Sequence, residues 1–257
     1  MYLPSFNLQG KTALVTGAGR GIGQAIAIGL AEAGANVALV SRTQSGLEET
    51  ASLIREHTVA EAYVIPADVT ERASVEGAIE EVIAKAGTLD ILVNNAGMNI
   101  RTPALDVTDE EWDTIVQTNL KSAFLTSQIV GKVMKTQGGG RIINISSVGG
   151  HTALRTGVVY GATKAAMIHM TKVLALEWGK YGIQVNSVGP WYIRTPLTEK
   201  LLSDKDYLEE IEGRTPLGRI GQLQEVVGPV VFLSSDASSY MTGQTLLVDG
   251  GFSIYGF

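Results

Sequence analysis

Seven short runs rich in Val, Ile and Leu recur along the 257-residue chain: "KTALVTG", "NVALVSR", "AYVIPADV", "LDILVNNAG", "GRIINISS", "IQVNSVGP" and "TLLVDGG". Each is apolar without a break rather than alternating, the pattern of a strand covered on both faces. Between them lie longer helical patterns such as "GIGQAIAIGLAEAGA" and "YGATKAAMIHMTKVLALEWGKYG". Strand and helix alternate from end to end, and parallel neighbours need a crossover that a helix supplies. An α/β fold is expected, with a doubly wound parallel sheet of about seven strands. No low-complexity linker or internal repeat divides residues 1–257, so one domain is the simplest organisation. The longest break in the rhythm, Trp191 to Gly221, holds Pro196, Pro216 and "SDKDYLEEIE". A segment that long between strand and helix is often a binding loop; we read 191–221 as a substrate lid.

The first strand runs into "TGAGRGIG", Thr16 to Gly23, and then into a helix. Gly17, Gly21 and Gly23 allow a tight turn, a close backbone approach and close helix packing. The helix N-terminus then offers free N–H groups and positive potential to a pyrophosphate. A glycine triplet alone is weak evidence; one that follows a strand and opens a helix is the context of a Rossmann-like dinucleotide site.

Composition narrows the partners. The net charge is −6, from 20 basic and 26 acidic residues, a diffuse acidic balance that argues against a general binder of nucleic acid or membrane surface. There is no cysteine, which removes disulfides, thiolate metal sites and thiol nucleophiles. His57, His151 and His169 lack metal-ligand spacing, so no metal is expected. "MYLPSFNLQGK" lacks the regions of a signal peptide, and no apolar run is long enough to span a bilayer; a cytoplasmic protein is expected.

"VVYGATK" places Tyr160 four residues before Lys164. On a helix the two share a face, one turn apart. A nearby ammonium favours the phenolate, so they suit proton transfer; a packed ring beside a solvated lysine fits the same four letters. Company decides. The turn's spacing is G-x-x-x-G-x-G, and with "NNAG" at Asn94–Gly97, the serine of "ISS" and "YGATK" it resembles the short-chain dehydrogenase/reductase family over essentially the whole chain, up to "VDGG". The motifs stand in the family's order and at its spacings.

That resemblance implies the following roles. Asn119, Ser147, Tyr160 and Lys164 match the catalytic positions: Tyr160 exchanges a proton with the substrate oxygen, Ser147 holds that oxygen, Lys164 holds the nicotinamide ribose and depresses the tyrosine pKa, and Asn119 supports a water relay. A proton and a hydride must reach one C–O group together, which divides the labour in this way. Cofactor contacts fall to Gly17, Arg20, Gly21, Ile22, Gly23, Ser41, Arg42, Asp68, Val69, Asn95, Ala96, Gly97, Tyr160, Lys164, Pro190, Ile193 and Thr195. An acidic residue after the second strand would select NAD through the ribose hydroxyls. This chain has Ser41 and Arg42 there, which resembles NADP-dependent members; guanidinium forks suit phosphate. NADP(H) is therefore expected over NAD(H). One departure stands out: Trp191 follows Pro190 where relatives usually carry glycine, so the indole either narrows the pocket or turns away.

Fold and cofactor do not name a substrate. Arg101 in "NNAGMNIR" and the stretch "WYIRTPLTEKLLSD" resemble the gluconate 5-dehydrogenase group, and a carboxylated sugar acid would want an arginine fork. The candidate substrate residues are Arg101, Ser147, His151 and Trp191, with Arg155 secondary. The chief rival is a 3-oxoacyl-carrier-protein reductase; many of those carry arginines where this chain has Gly138 and Tyr181. Tropinone-reductase-like reduction of a hydrophobic ketone is a third reading, and a non-catalytic nucleotide sensor on the same fold a fourth. The family's habit, and apolar residues enough on "SAFLTSQIVGKVM" and "AAMIHMTKVLALEW" for both sheet and neighbour, imply a homotetramer.

Overall fold

All seven apolar runs form strands: β1 Thr12–Thr16, β2 Asn36–Ser41, β3 Ala62–Pro66, β4 Ile91–Asn94, β5 Gly140–Ile145, β6 Ile183–Pro190 and β7 Thr245–Val248. The structure, a computed structural model, describes residues 2–155 and 157–255, apart from the side chains of Leu197 and Lys200. The strands make one parallel sheet in the order β3-β2-β1-β4-β5-β6-β7. The expected Rossmann-like α/β architecture is thus the observed one.

Helices α1 (Gly21–Glu32), α2 (Gln44–His57), α3 (Arg72–Ala86), α4 (Asp109–Val116), α5 (Ser122–Gln137) and α6 (Val158–Trp178) connect the first six strands. Successive strand residues face opposite sides, and the core divides accordingly. Ala13 and Val15 join Val37 and Leu39 beneath α1 and α2. Leu14 joins Ala38 and Val40 on the other face, with residues of α3, α5 and α6. On α2 the buried positions Leu47, Thr50, Ala51 and Ile54 follow the i, i+3, i+4, i+7 pattern of one helical face.

Between β6 and β7 come α7 (Pro196–Leu202), α8 (Lys205–Gly213) and α9 (Leu223–Ser234). Residues 191–221 form an excursion closed at its base, where the Arg194 N–H donates to the Gly221 carbonyl (3.0 Å) and the Gly221 N–H to that of Tyr192 (2.9 Å). The excursion has its own small core of Tyr192, Leu202, Ile211 and Ile220. Among the described residues, no helix is long and apolar enough to cross a membrane.

Candidate active site

The crevice opens between β1 and β4, where the strand order reverses and open α/β sheets bind ligands. The Thr16 hydroxyl joins its two sides, accepting from the N–H groups of Asn95 and Ala96, both at 3.0 Å. The Asn95 amide returns two bonds, to the carbonyls of Thr16 (3.0 Å) and Gly17 (3.3 Å). A Cβ on Gly23 would stand 2.2 Å from the Gly17 oxygen, so only glycine lets α1 begin this close to the turn. Arg20 precedes α1 in an extended conformation and its side chain does not cap the helix, which leaves the first-turn N–H groups facing the crevice. These features fit a dinucleotide pyrophosphate. Ile22, in that first turn, packs against the core.

Ser41 ends β2, its hydroxyl donating to the Thr43 carbonyl (3.3 Å). It lies close enough to the glycine turn that a Cβ on Gly19 would come within 3.3 Å of its oxygen. Arg42 is 78% exposed and its nearest carboxylate is Asp68, at 3.9 Å, a surface contact worth little. Burial acts to raise the Asp68 pKa, but bonds from the Thr70 hydroxyl and N–H, with the Arg42 charge, leave it below the usual carboxylate value. Val69 packs against the core next to it.

Asn119 sits in a π-helical turn, Gln117–Lys121, that joins α4 to α5. Such turns occur frequently at functional sites. Its side chain is fully buried; Oδ1 accepts from the Met98 N–H (2.8 Å), and Nδ2 donates to the Met98 carbonyl (2.8 Å) and Thr163 Oγ1 (3.4 Å). Thr163 in turn donates to the Tyr160 carbonyl (2.8 Å). Gly97 lies against the same amide: a Cβ there would be 3.3 Å from Asn119 Oδ1. Asn119 thereby ties the loop after β4 to the turn of α6 that carries the tyrosine.

Ser147 follows β5, its hydroxyl accepting from the Gly149 N–H (3.1 Å) and hydrogen-bonded to Tyr160. Burial pushes the Tyr160 phenol above its usual 10.0; the Ser147 bond and the Arg101 charge pull the other way without cancelling it. Lys164 lies one turn along α6, 4% exposed, with Nζ donating to the Ile145 carbonyl (2.8 Å). Burial lowers its pKa to about 8. Its ammonium points to the end of β5, 5.6 Å from the Tyr160 ring centroid, and the groups acting on the phenol are Ser147 and Arg101.

Arg101 donates from Nη1 to the Tyr207 hydroxyl (3.2 Å) and from Nη2 to that of Tyr192 (3.5 Å), and the two phenols bond each other at 2.5 Å. Trp191 turns onto Phe252, stacked at 3.8 Å between centroids, and its indole N–H donates to Thr215 (3.2 Å). It lines a cavity of about 520 Å³ with Arg155, Tyr192, Tyr207, Glu210 and Arg214. His151 is exposed and lies outside that lining. Pro190 ends β6, Ile193 is buried, and the Thr195 hydroxyl caps α7 by accepting from the Thr198 N–H (3.2 Å). Thr16, Thr163 and the two phenols are contacts that motif matching missed. Thr16 carried a signal, a strand-end hydroxyl beside the glycine turn; Tyr207 carried none, since α8 reaches the site only through tertiary packing.

A family model described as Enoyl-(Acyl carrier protein) reductase matches residues 17–253. The chain belongs to the short-chain dehydrogenase/reductase family. It is 46% identical to a tropinone reductase homolog of Arabidopsis thaliana, over 98% of this chain and 96% of that one. It is 41% identical to gluconate 5-dehydrogenase of Gluconobacter oxydans, over 97% of each chain. The crystal structure of a gluconate 5-dehydrogenase from Burkholderia cenocepacia in complex with NADP and tartrate superposes with a TM-score of 0.93 at 41% identity, covering 99% of both chains. Membership of the family makes this protein an oxidoreductase acting on CH–OH groups with a nicotinamide nucleotide.

The buried lysine of this family member generates a prediction about stability. Above about pH 10.5, Lys164 is neutral in both folded and unfolded chains. As pH falls towards 8 the unfolded chain takes up the proton first, so folding loses stability across that window and no further below it. Lys164→Met removes this penalty. Urea unfolding should show the variant gaining on the wild type by up to about 3 kcal/mol at pH 7, with the difference shrinking between pH 8 and 10. A difference independent of pH would show that Lys164 does not titrate there.

Proposed function

We propose that this protein is an NADP(H)-preferring dehydrogenase/reductase that interconverts a secondary alcohol and a ketone on a sugar acid. The observation that carries the substrate class is Arg101. Its charge acts on Tyr160, its hydrogen-bond partners are two neutral phenols, and no carboxylate pairs with it among the described residues. A carboxylated substrate supplies the missing partner, with a geometry that suits a guanidinium.

The residues divide the reaction between them. The nicotinamide nucleotide, when bound in the crevice, supplies or accepts the hydride. Tyr160 Oη gives a proton to the substrate oxygen during reduction and takes it back during oxidation. Ser147 Oγ holds that oxygen beside Tyr160, on whose phenol it also acts. Lys164 and Asn119 hold the ribose side and the proton path, as the family implies. The 191–221 segment acts as a lid, tied to the body by Arg101–Tyr207 and by Arg155–Glu210 at 2.5 Å. A hydrophobic ketone would leave Arg101 without a role. The carrier-protein reading keeps one supporting feature, Lys135 and Lys180 at 4.3 and 5.2 Å over the Tyr181 ring, so 3-oxoacyl thioesters belong in the substrate panel.

The test is kcat/KM on sugar acids, polyols and 3-oxoacyl thioesters. With a sugar acid, Arg101→Ala should cost about 1.5–3 kcal/mol of transition-state binding, and an uncharged polyol should lose far less. Tyr160→Phe should lose roughly 10²–10⁴-fold in turnover while binding cofactor normally. Equal losses on acid and polyol would make Arg101 a loop support, and no activity on any sugar acid would sink the substrate class.

The cofactor preference rests on Ser41, which carries no charge, and on the exposed Arg42. Arg42→Asp should weaken NADP(H) by removing a phosphate partner and adding a like charge, with NAD(H) much less affected. Dissociation constants for both nucleotides check this; a wild type that already prefers NAD(H) overturns it.

The homotetramer has its support in apolar side chains that α5 and α6 leave outside the core: Phe124 (41% exposed), Val173 (39%) and Leu176 (84%). Light scattering should give four subunits for the wild type and a smaller species for Leu176→Glu. A monomeric wild type rules the assembly out.

A further inference from the structure

The cavity beside the site is larger than a single six-carbon acid needs. At about 520 Å³ it falls among clefts that enclose drug-sized ligands. Its walls come from three parts of the chain: the loop before α6 (Thr152 to Arg155), the 191–221 segment, and the C-terminal turn at Phe252, Ser253 and Tyr255. Tyr192 and Tyr207 join it to the reaction centre, since both line it and both hydroxyls touch Arg101.

The lining chemistry is mixed in a particular way. Glu210 receives Arg155 at 2.5 Å and Arg214 at 3.6 Å, so these two guanidiniums already have a carboxylate, unlike Arg101. A second acid group would have to compete with Glu210. A hydroxyl, which both donates and accepts, can bridge the guanidinium and the carboxylate without displacing either. Phenols at Tyr192, Tyr207 and Tyr255 and the Thr152 hydroxyl add partners of the same kind, while Trp191 and Phe252 supply apolar wall.

We propose that the cavity is a subsite for a neutral polyhydroxylated ring, and that the preferred substrate is a glycosylated sugar acid, an aldobionate, rather than a free hexonate. This rests on the sugar-acid reading and adds the second sugar. Arg101 takes the carboxylate, Tyr160 and Ser147 the reacting carbinol, and the Arg155–Glu210–Arg214 cluster the hydroxyls of the appended ring.

The experiment compares gluconate with cellobionate, lactobionate and melibionate, whose linkages differ, at saturating cofactor. At least one aldobionate should exceed gluconate in kcat/KM by about tenfold or more. Ala153→Trp puts an indole into the cavity from an exposed lining position. It should remove that advantage while leaving gluconate turnover within about threefold of wild type. Turnover of gluconate with every aldobionate poorer overturns the subsite, as does an aldobionate preference that survives Ala153→Trp. Failure on every acid, gluconate included, falls instead on the sugar-acid reading beneath it.

Discussion

The reversal of strand order between β1 and β4 is the constraint from which the site follows. Chains leaving these two strands run to opposite faces of the sheet, so their C-terminal ends part and leave a crevice. The parting must be held at a set width, and the Thr16 hydroxyl with the Asn95 amide does so through four bonds across the gap. On one side the glycine turn leads into α1. On the other, the loop after β4 carries Arg101, and Asn119 pins that loop at Met98. Ser147 then enters from β5, the next strand in the sheet.

The polar groups brought together there are held against solvation preference. Lys164 is buried with a backbone carbonyl as its partner and loses affinity for its proton. Tyr160 holds its proton more tightly for the same cause. Burial thus pushes the two pKa values apart, the phenol's up and the ammonium's down, a condition typical of functional sites. Close backbone contact enforces it: a Cβ on Gly150 would stand 2.7 Å from the Lys164 carbonyl carbon, so the turn after Ser147 can press on α6 only with glycine there. The small residues around Tyr160 answer to this packing as much as to the chemistry.

Local order was legible in the sequence where the determinant is local. The seven runs became the seven strands because short, β-branched apolar runs between longer helical patterns suit strands with two covered faces. The glycine turn was legible because its steric demand leaves a compositional mark. The positions of Tyr160, Lys164, Ser147 and Asn119 came from motif spacing, yet how they interact did not. The direction of Lys164 Nζ depends on where β5 ends beneath α6, and Thr195 serves as a helix cap because α7 starts there. Arg101 was legible as a cation on the ligand side of the sheet. Its phenol partners were not, since Tyr207 is about a hundred residues away in sequence, an interval that pattern reading cannot cross.

Charge separates what Arg101 does from what its neighbours do. The chain carries a net −6, yet Arg20, Arg42 and Arg101 all stand at the C-terminal end of the sheet, where an anionic nucleotide must arrive. Local potential, not net charge, governs such an encounter, because a cleft with low-dielectric walls focuses the field of the charges that line it. Arg155 and Arg214 contribute little to that field, since Glu210 lies against both; Arg101 keeps its charge, because phenols bond a guanidinium without neutralising it. The same segment, 191–221, therefore supplies two kinds of partner to two arginines of the body: neutral hydroxyls to the one beside the reacting tyrosine, and a carboxylate to the one farther out. A site that had to attract an anion to the reaction centre, and hold a neutral group beyond it, would be built with that division.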